Sequence, residues 1–193
     1  MIIGVTGNSG SGKSTFAKHF ADKIGFVYVD IDLISKDSIN QPEVLQTIIN
    51  RYGREILSSK GTVPSQKVGE ILSISRESAK EIYEVTLEYI TRSVNKIMED
   101  NNNVILDWVL LPDTYYWDLC DYTILMKTDL EQRLQKVSSR DNLPREYCVK
   151  RDNHSPNYTG IGVYSVIYND YSPDSLQKAM DTIAQYIKTN YSL

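Results

Sequence analysis

Cysteine is scarce in this chain: its 193 residues include only Cys120 and Cys148. Two thiols cannot build a disulfide framework, and their spacing fits no metal-ligand pattern. A reducing, cytoplasmic setting is therefore expected, with both cysteines as small packing or surface residues. Long apolar runs are missing as well. None approaches the roughly 20 residues that cross a bilayer, and residues 1–5 are too short, and lack the basic lead-in, for a signal-peptide core. No membrane partner is expected. Charge of one sign is not clustered: 21 Lys and Arg against 25 Asp and Glu leave a net charge of −4 with no basic patch, which argues against nucleic acid. Histidine is limited to His19 and His154. The first falls opposite the apolar face of a predicted helix and the second in an irregular stretch, so neither is read as catalytic. A chain of this length is expected to form one domain, with room for a small appendage.

Glycine, by contrast, is concentrated near the start. Gly7-Asn8-Ser9-Gly10-Ser11-Gly12-Lys13-Ser14-Thr15 fits G-x-x-x-x-G-K-[ST] without a gap, the pattern of a phosphate-binding P-loop. The glycines let the backbone wrap tightly, so that N–H groups from Asn8 to Thr15 can approach phosphate oxygens. Lys13 would set a positive charge on the β- and γ-phosphates, and Ser14 would offer its hydroxyl to Mg²⁺. The free N–H groups and dipole of the following helix favour the same anion. The context agrees. Residues 1–6 form a short apolar strand, then Phe16, Phe20 and Ile24, with Ala17 and Ala21, recur on one helical face until Gly25. ATP is the expected ligand, with Mg²⁺.

Strand and helix alternate through the rest of the chain. Residues 26–30 and 103–107 read as strands ending in Asp30 and Asp107, followed by strands at 121–126 and 163–168. Thr128 and Glu131 predict a capping box opening a helix through about Ser139; Ser172-Pro173 predicts another helix carrying Leu176, Ala179, Met180, Ile183 and Ile187. Such alternation implies an α/β fold: a parallel five-stranded sheet between helices in three α/β/α layers, with ligands at the carboxyl ends of the strands. Two stretches interrupt it. Residues 42–98 read as a mainly helical insertion, with Ala79, Ile82, Thr86, Ile90, Val94 and Ile97 at helical spacing, able to hold an acceptor. Residues 139–160 read as an irregular basic lid carrying Arg140, Arg145, Lys150 and Arg151. The core is then 1–40, 99–138 and 160–193.

The candidates for a bound nucleotide's use separate on small motifs. A GTPase needs a base-reading Asn-Lys-x-Asp, but after Asn95-Lys96 Met98 stands where the Asp should be, and Asp22-Lys23-Ile24-Gly25 lies inside the helix after the P-loop. A motor needs a glutamate beside the strand-end aspartate, and Asp107 is followed by Trp108. A small-molecule kinase needs positioning, charge neutralisation and a carboxylate near the acceptor hydroxyl. Asp30 and Asp32 suit that role if they alternate on one strand end and face the same side. Asp30 is read either so or as a structural strand-end carboxylate. Tyr115-Tyr116-Trp117 could stack on a base, but packing beneath a loop is the expected use.

Beyond the P-loop the chain resembles the dephospho-CoA kinases. Val29-Asp30-Ile31-Asp32-Leu33-Ile34-Ser35 is similar to that family's D-x-D segment with I-A-R. Tyr52-Gly53-Arg54-Glu55-Ile56-Leu57 with Gly61-Thr62-Val63 resembles F-G-x-x-I-L…D-G-x-I. Leu106-Asp107-Trp108-Val109-Leu110-Leu111-Pro112-Asp113 resembles D-x-P-L-L-F-E, and Gln132-Arg133 to Arg140-Asp141-Asn142-Leu143 resembles Q-x-x-R…R-D-G-L. Val166-Ile167-Tyr168-Asn169-Asp170-Tyr171-Ser172 resembles V-I-x-N-x-G-S near the adenine. The resemblance implies ATP-dependent phosphorylation of the ribose 3′-hydroxyl of dephospho-CoA. It implies Asp32 as the group that accepts or orients the hydroxyl proton, and Lys13 and Arg140 as stabilisers of the transferring phosphoryl. It further implies Ser14, and Asp107 through water, at Mg²⁺, and Asn169 at the nucleotide. The chain departs from the family where Leu87-Glu88 replace its His-Pro, Val109 its proline, Tyr171 its glycine and Arg151-Asp152-Asn153-His154-Ser155 its R-I-x-x-Q, changes that concentrate where the acceptor would be held. A nucleoside or nucleotide kinase on the same scaffold, and a non-catalytic ATP-binding module, are the alternative readings.

Overall fold

The computed structural model describes residues 1–64, 67–68, 76–152 and 156–191, without the side chains of 76–81 and 151. His154 and residues 153 and 155 of the expected lid lie outside the described residues. Five strands, β1 (Ile2–Thr6), β2 (Val27–Asp30), β3 (Val104–Asp107), β4 (Tyr122–Lys127) and β5 (Ser165–Tyr168), pair in parallel in the order β2-β3-β1-β4-β5. The helices are α1 (Lys13–Ile24), α2 (Ile31–Ser38), α3 (Pro42–Tyr52), α4 (Arg76–Asp100), α5 (Tyr116–Leu119), α6 (Leu130–Asp141), α7 (Arg145–Asp152) and α8 (Pro173–Asn190). The fold is a three-layer α/β/α arrangement, as the alternation predicts.

The chain divides into two compact units, residues 1–30 with 101–193, and residues 31–100. The first is built on the sheet. Ile3, Val5, Ile105, Ile124 and Met126 pack with Phe16, Phe20, Met180, Ile183 and Ile187 into one buried cluster, which α1 and α8 cover with their apolar stripes. Gly25 ends α1 in the left-handed conformation (φ 73°), and Ser172 caps α8 by accepting the Ser175 N–H. The second unit has its own core of Ile39, Val44, Ile48, Ile56, Val63 and Ile82. Thr86, Ile90 and Val94 are buried along α4 at the predicted spacing.

Three local expectations are corrected. The carboxylate Asp129, not Thr128, caps α6 by accepting the Gln132 N–H, while Thr128 Oγ1 donates to the Asn169 carbonyl at 2.6 Å. The stretch 139–160 is not irregular throughout, because α6 runs to Asp141 and α7 follows. Leu134, Val137 and Cys148 form a small buried cluster that seats α7 on α6, a contact invisible to the charge pattern. Asp30 and Asp32 do not alternate on one strand: β2 ends at Asp30, and Asp32 lies in the first turn of α2, in the second unit. The helix begins at Ile31, and helical geometry replaces the period of two.

Candidate active site

The sheet register sets the site's frame. β3 lies between β1 and β2, aligning Asp107 with Val5 on one side and with Asp30 on the other, so two carboxylates stand side by side at strand ends. The loop after β1 turns on Gly7 (φ 147°), Gly10 (85°) and Gly12 (86°), conformations that side chains rarely adopt. Gly12 is the N-cap of α1, and no side chain caps that end. The N–H groups of the first turn thus face the loop, as a phosphate site requires.

Lys13 is almost buried, with Nζ 3.2 Å from Asp107 Oδ1 and 3.5 Å from the Ser14 hydroxyl. Asp107 is fully buried, and its second oxygen accepts the Tyr28 hydroxyl at 2.8 Å. Burial holds the Asp107 carboxyl above the usual range, against the opposing pull of Lys13, Ser14 and Tyr28. The Tyr28 phenol is likewise pushed up, first by burial and then by Asp107 and Asp30. Its hydroxyl also lies 3.4 Å from Asp30 Oδ2. Tyr28 therefore spans both strand-end carboxylates, which the sequence reading missed. The signal was available, since residues 28 and 30 share a face of β2.

The remaining predicted residues divide. Asn169 is buried, and both ends of its amide are engaged: Nδ2 donates to the Ser11 carbonyl at 2.9 Å and Oδ1 accepts the Tyr171 N–H at 2.9 Å. It braces the loop from outside. Arg133, read only as part of a motif, is buried and donates to the Ser9 carbonyl at 3.2 Å while forking onto the Asp152 carboxylate of α7. Arg140 is exposed, paired with Asp141 through Nε at 2.7 Å, and its Nη2 reaches within 3.4 Å of Ser9 Oγ. The structure thus brings Asn8 to Thr15, Lys13, Asp107, Asn169 and Arg140 to one strand-end region, while Asp32 belongs to the other unit.

Polar atoms of this region fit a nucleotide and a cation. Asn8 Oδ1 and Ser11 Oγ are buried in the loop without a hydrogen-bond partner. Asp107 Oδ1 is buried 3.2 Å from Lys13 Nζ and beside the Ser14 hydroxyl, a carboxylate oxygen and a hydroxyl on one side of the loop. Mg²⁺ keeps most of its waters and needs few protein ligands, so one hydroxyl and one carboxylate suit it. Other sequence features stay structural. Tyr116 is buried in α5, His19 is exposed, and burial pushes the Cys120 thiol up to about 12. Among the described residues no helix is long and apolar enough to cross a membrane.

Comparison with known proteins agrees with this geometry. The family model for dephospho-CoA kinase matches residues 1–155. A dephospho-CoA kinase of Fusobacterium nucleatum is 31% identical over 152 residues, 78% of each chain. A solved structure from Thermus thermophilus superposes with a TM-score of 0.79 at 22% identity, covering 97% of both chains. A dephospho-CoA kinase from Campylobacter jejuni does so with a TM-score of 0.59 at 19% identity, covering 96% of both. These two structural likenesses speak for the fold. With a P-loop at the end of β1, its lysine on a buried strand-end carboxylate and a family match over most of its length, the chain belongs to the dephospho-CoA kinases, which use ATP to phosphorylate a small molecule.

Proposed function

We propose that this protein transfers the γ-phosphoryl of ATP to the ribose 3′-hydroxyl of dephospho-CoA, acting in the cytoplasm with Mg²⁺. The observation that carries the reading is the contact of Lys13 with Asp107 at the mouth of a glycine-wrapped loop. Lys13 is held by a buried carboxylate rather than by solvent, so its charge is aimed before ligand arrives, and preorganised charge of this kind stabilises a transferring phosphoryl group. Ser14 and Asp107 are the residues that would hold Mg²⁺, whose chemistry is to neutralise phosphate charge. Tyr28 donates a hydrogen bond to Asp107 and so keeps its other oxygen turned toward Lys13.

Arg140 carries the lid's contribution. Its planar guanidinium forks onto Asp141 and already reaches Ser9, and the same fork matches phosphate oxygens. Asp32 is assigned to accept or orient the proton of the attacking hydroxyl, on the strength of the D-x-D resemblance. Asn169 contributes by holding the Ser11 carbonyl, which leaves the Gly12 N–H of the trans peptide pointing the opposite way.

A second reading, a nucleoside or nucleotide kinase, draws on the second unit. Leu87 and Glu88, standing where the family has His-Pro, lie with Glu84, Thr91 and Arg92 along one open face of α4. The experiment is ATP consumption by purified protein with Mg²⁺, offering dephospho-CoA or a panel of nucleosides and nucleotides, with product mass as readout. One phosphate added to dephospho-CoA alone supports the first reading. Turnover confined to a panel member supports the second, and silence throughout refutes both.

A further inference from the structure

Among the described residues two non-glycine residues hold positive φ, Asn142 (52°) and Tyr171 (62°). Asn142 is the C-cap of α6, where asparagine in this conformation is ordinary. Tyr171 has no such excuse: a bulky side chain in the left-handed region persists only when its surroundings hold it there. The position is the one at which the resembled motif carries glycine.

Three contacts hold Tyr171. Its N–H donates to Asn169 Oδ1 at 2.9 Å, its ring lies under Lys136 Nζ at 4.9 Å from the centroid, and its hydroxyl donates to the Gly10 carbonyl at 2.7 Å. The last contact reaches across the chain into the P-loop. Gly10 is tight against α6, since an added Cβ would stand 2.8 Å from both Arg133 and Val137 side-chain carbons. Ser9, Gly10 and Ser11 thus have their three carbonyls held from outside by Arg133, Tyr171 and Asn169 respectively. In a trans peptide the carbonyl and the following N–H point in opposite directions. Anchoring the Gly10 carbonyl therefore sets the Ser11 N–H, which closes the loop's turn on the Asn8 carbonyl at 3.0 Å.

We propose that Tyr171 is a positioning residue for nucleotide binding, which holds the P-loop in its phosphate-accepting shape through Gly10 and keeps a strained backbone in order to do so. The proposal rests on the reading of the loop as the ATP site. It predicts an effect on the phosphate side of the ligand, independent of the base.

The test is calorimetric titration of the parent, Tyr171→Phe and Tyr171→Asn with ATP and, separately, with inorganic tripolyphosphate, alongside ligand-free melting temperatures. Phenylalanine removes the hydroxyl and keeps the ring; asparagine accepts the left-handed backbone and cannot reach Gly10. Both variants are expected to bind each ligand about five-fold more weakly, the scale of one hydrogen bond. The ligand-free asparagine variant is expected to melt no lower than the phenylalanine variant, because its backbone is relieved. A phenylalanine variant that binds both ligands like the parent overturns the proposal. So does a loss confined to ATP, which would make Tyr171 a contact to the base. A parent that binds both ligands and leaves dephospho-CoA unchanged refutes the acceptor assignment only.

Discussion

Gly12→Ala offers a sharp test of how the loop is built. Gly12 sits at φ +86°, and a Cβ there would lie 2.2 Å from Asn169 Nδ2, inside any permissible contact. Two costs follow. The left-handed conformation costs an alanine about 1–2 kcal/mol. Asn169 must also move, breaking its 2.9 Å bond to the Ser11 carbonyl, and it is too buried to recover the bond from water. An unpaired buried amide costs about 1–3 kcal/mol. The total is about 2–5 kcal/mol, which for a chain of this size lowers the melting temperature by roughly 4–20 °C. The assay is thermal unfolding of the four proteins of a double-mutant cycle with Asn169→Ala. In the Asn169→Ala background the clash is gone, so Gly12→Ala should cost only its backbone share, about 1–2 kcal/mol. An equal cost in both backgrounds would refute the steric reasoning, and a parent-like melting temperature for Gly12→Ala would refute the whole account.

Four further outcomes are expected. Lys13→Ala should lose ATP affinity and turnover together, read by calorimetry and product mass, because its ammonium serves both ground and transition states; unchanged ATP binding contradicts the site. Asp32→Asn should keep ATP binding while cutting phosphoryl transfer by about 100-fold or more, the scale of general-base loss, and near-normal turnover would remove Asp32 from that role. Tyr28→Phe takes the donor from a buried carboxyl, so it should cost about 2 kcal/mol of stability in a urea melt; a change within experimental error would mean the 2.8 Å contact does not hold Asp107. Cys120, with its thiol pushed up to about 12 by burial and the nearby Asp121 and Asp118 charges, stays protonated at pH 9 in the folded chain. Alkylation there, followed by mass, should be slow until urea is added. Rapid labelling of the native chain would show the site to be open.

Proximity along the chain decided what could be read early. Asn8 to Thr15 are consecutive, so their wrap around a phosphate is a local property, and Phe16, Phe20 and the α8 stripe declare their buried faces by spacing alone. Lys13, Asp107, Asn169 and Arg140 could each be nominated from a motif. Asp32 marks the limit of spacing: two aspartates two residues apart suggest alternation on one strand, whereas the chain passes from strand to helix between them.

The residues that were missed act across long sequence separations. Alternation along β2 puts Tyr28 on the face of Asp30, but Tyr28 meets Asp107 only because the β2–β3 register places Asp30 beside Asp107, and that register is not written in residue 28. Arg133 and Tyr171 hold the carbonyls of Ser9 and Gly10 from elements more than 120 residues away. By itself the sequence determined the phosphate loop, the alternating elements and the class of chemistry, since those depend on residue type and local period. Only the tertiary structure decided which side chains shape the loop and which carboxylate meets the lysine. Strand pairing and helix packing choose those neighbours, and a period of two or 3.6 carries no information about them.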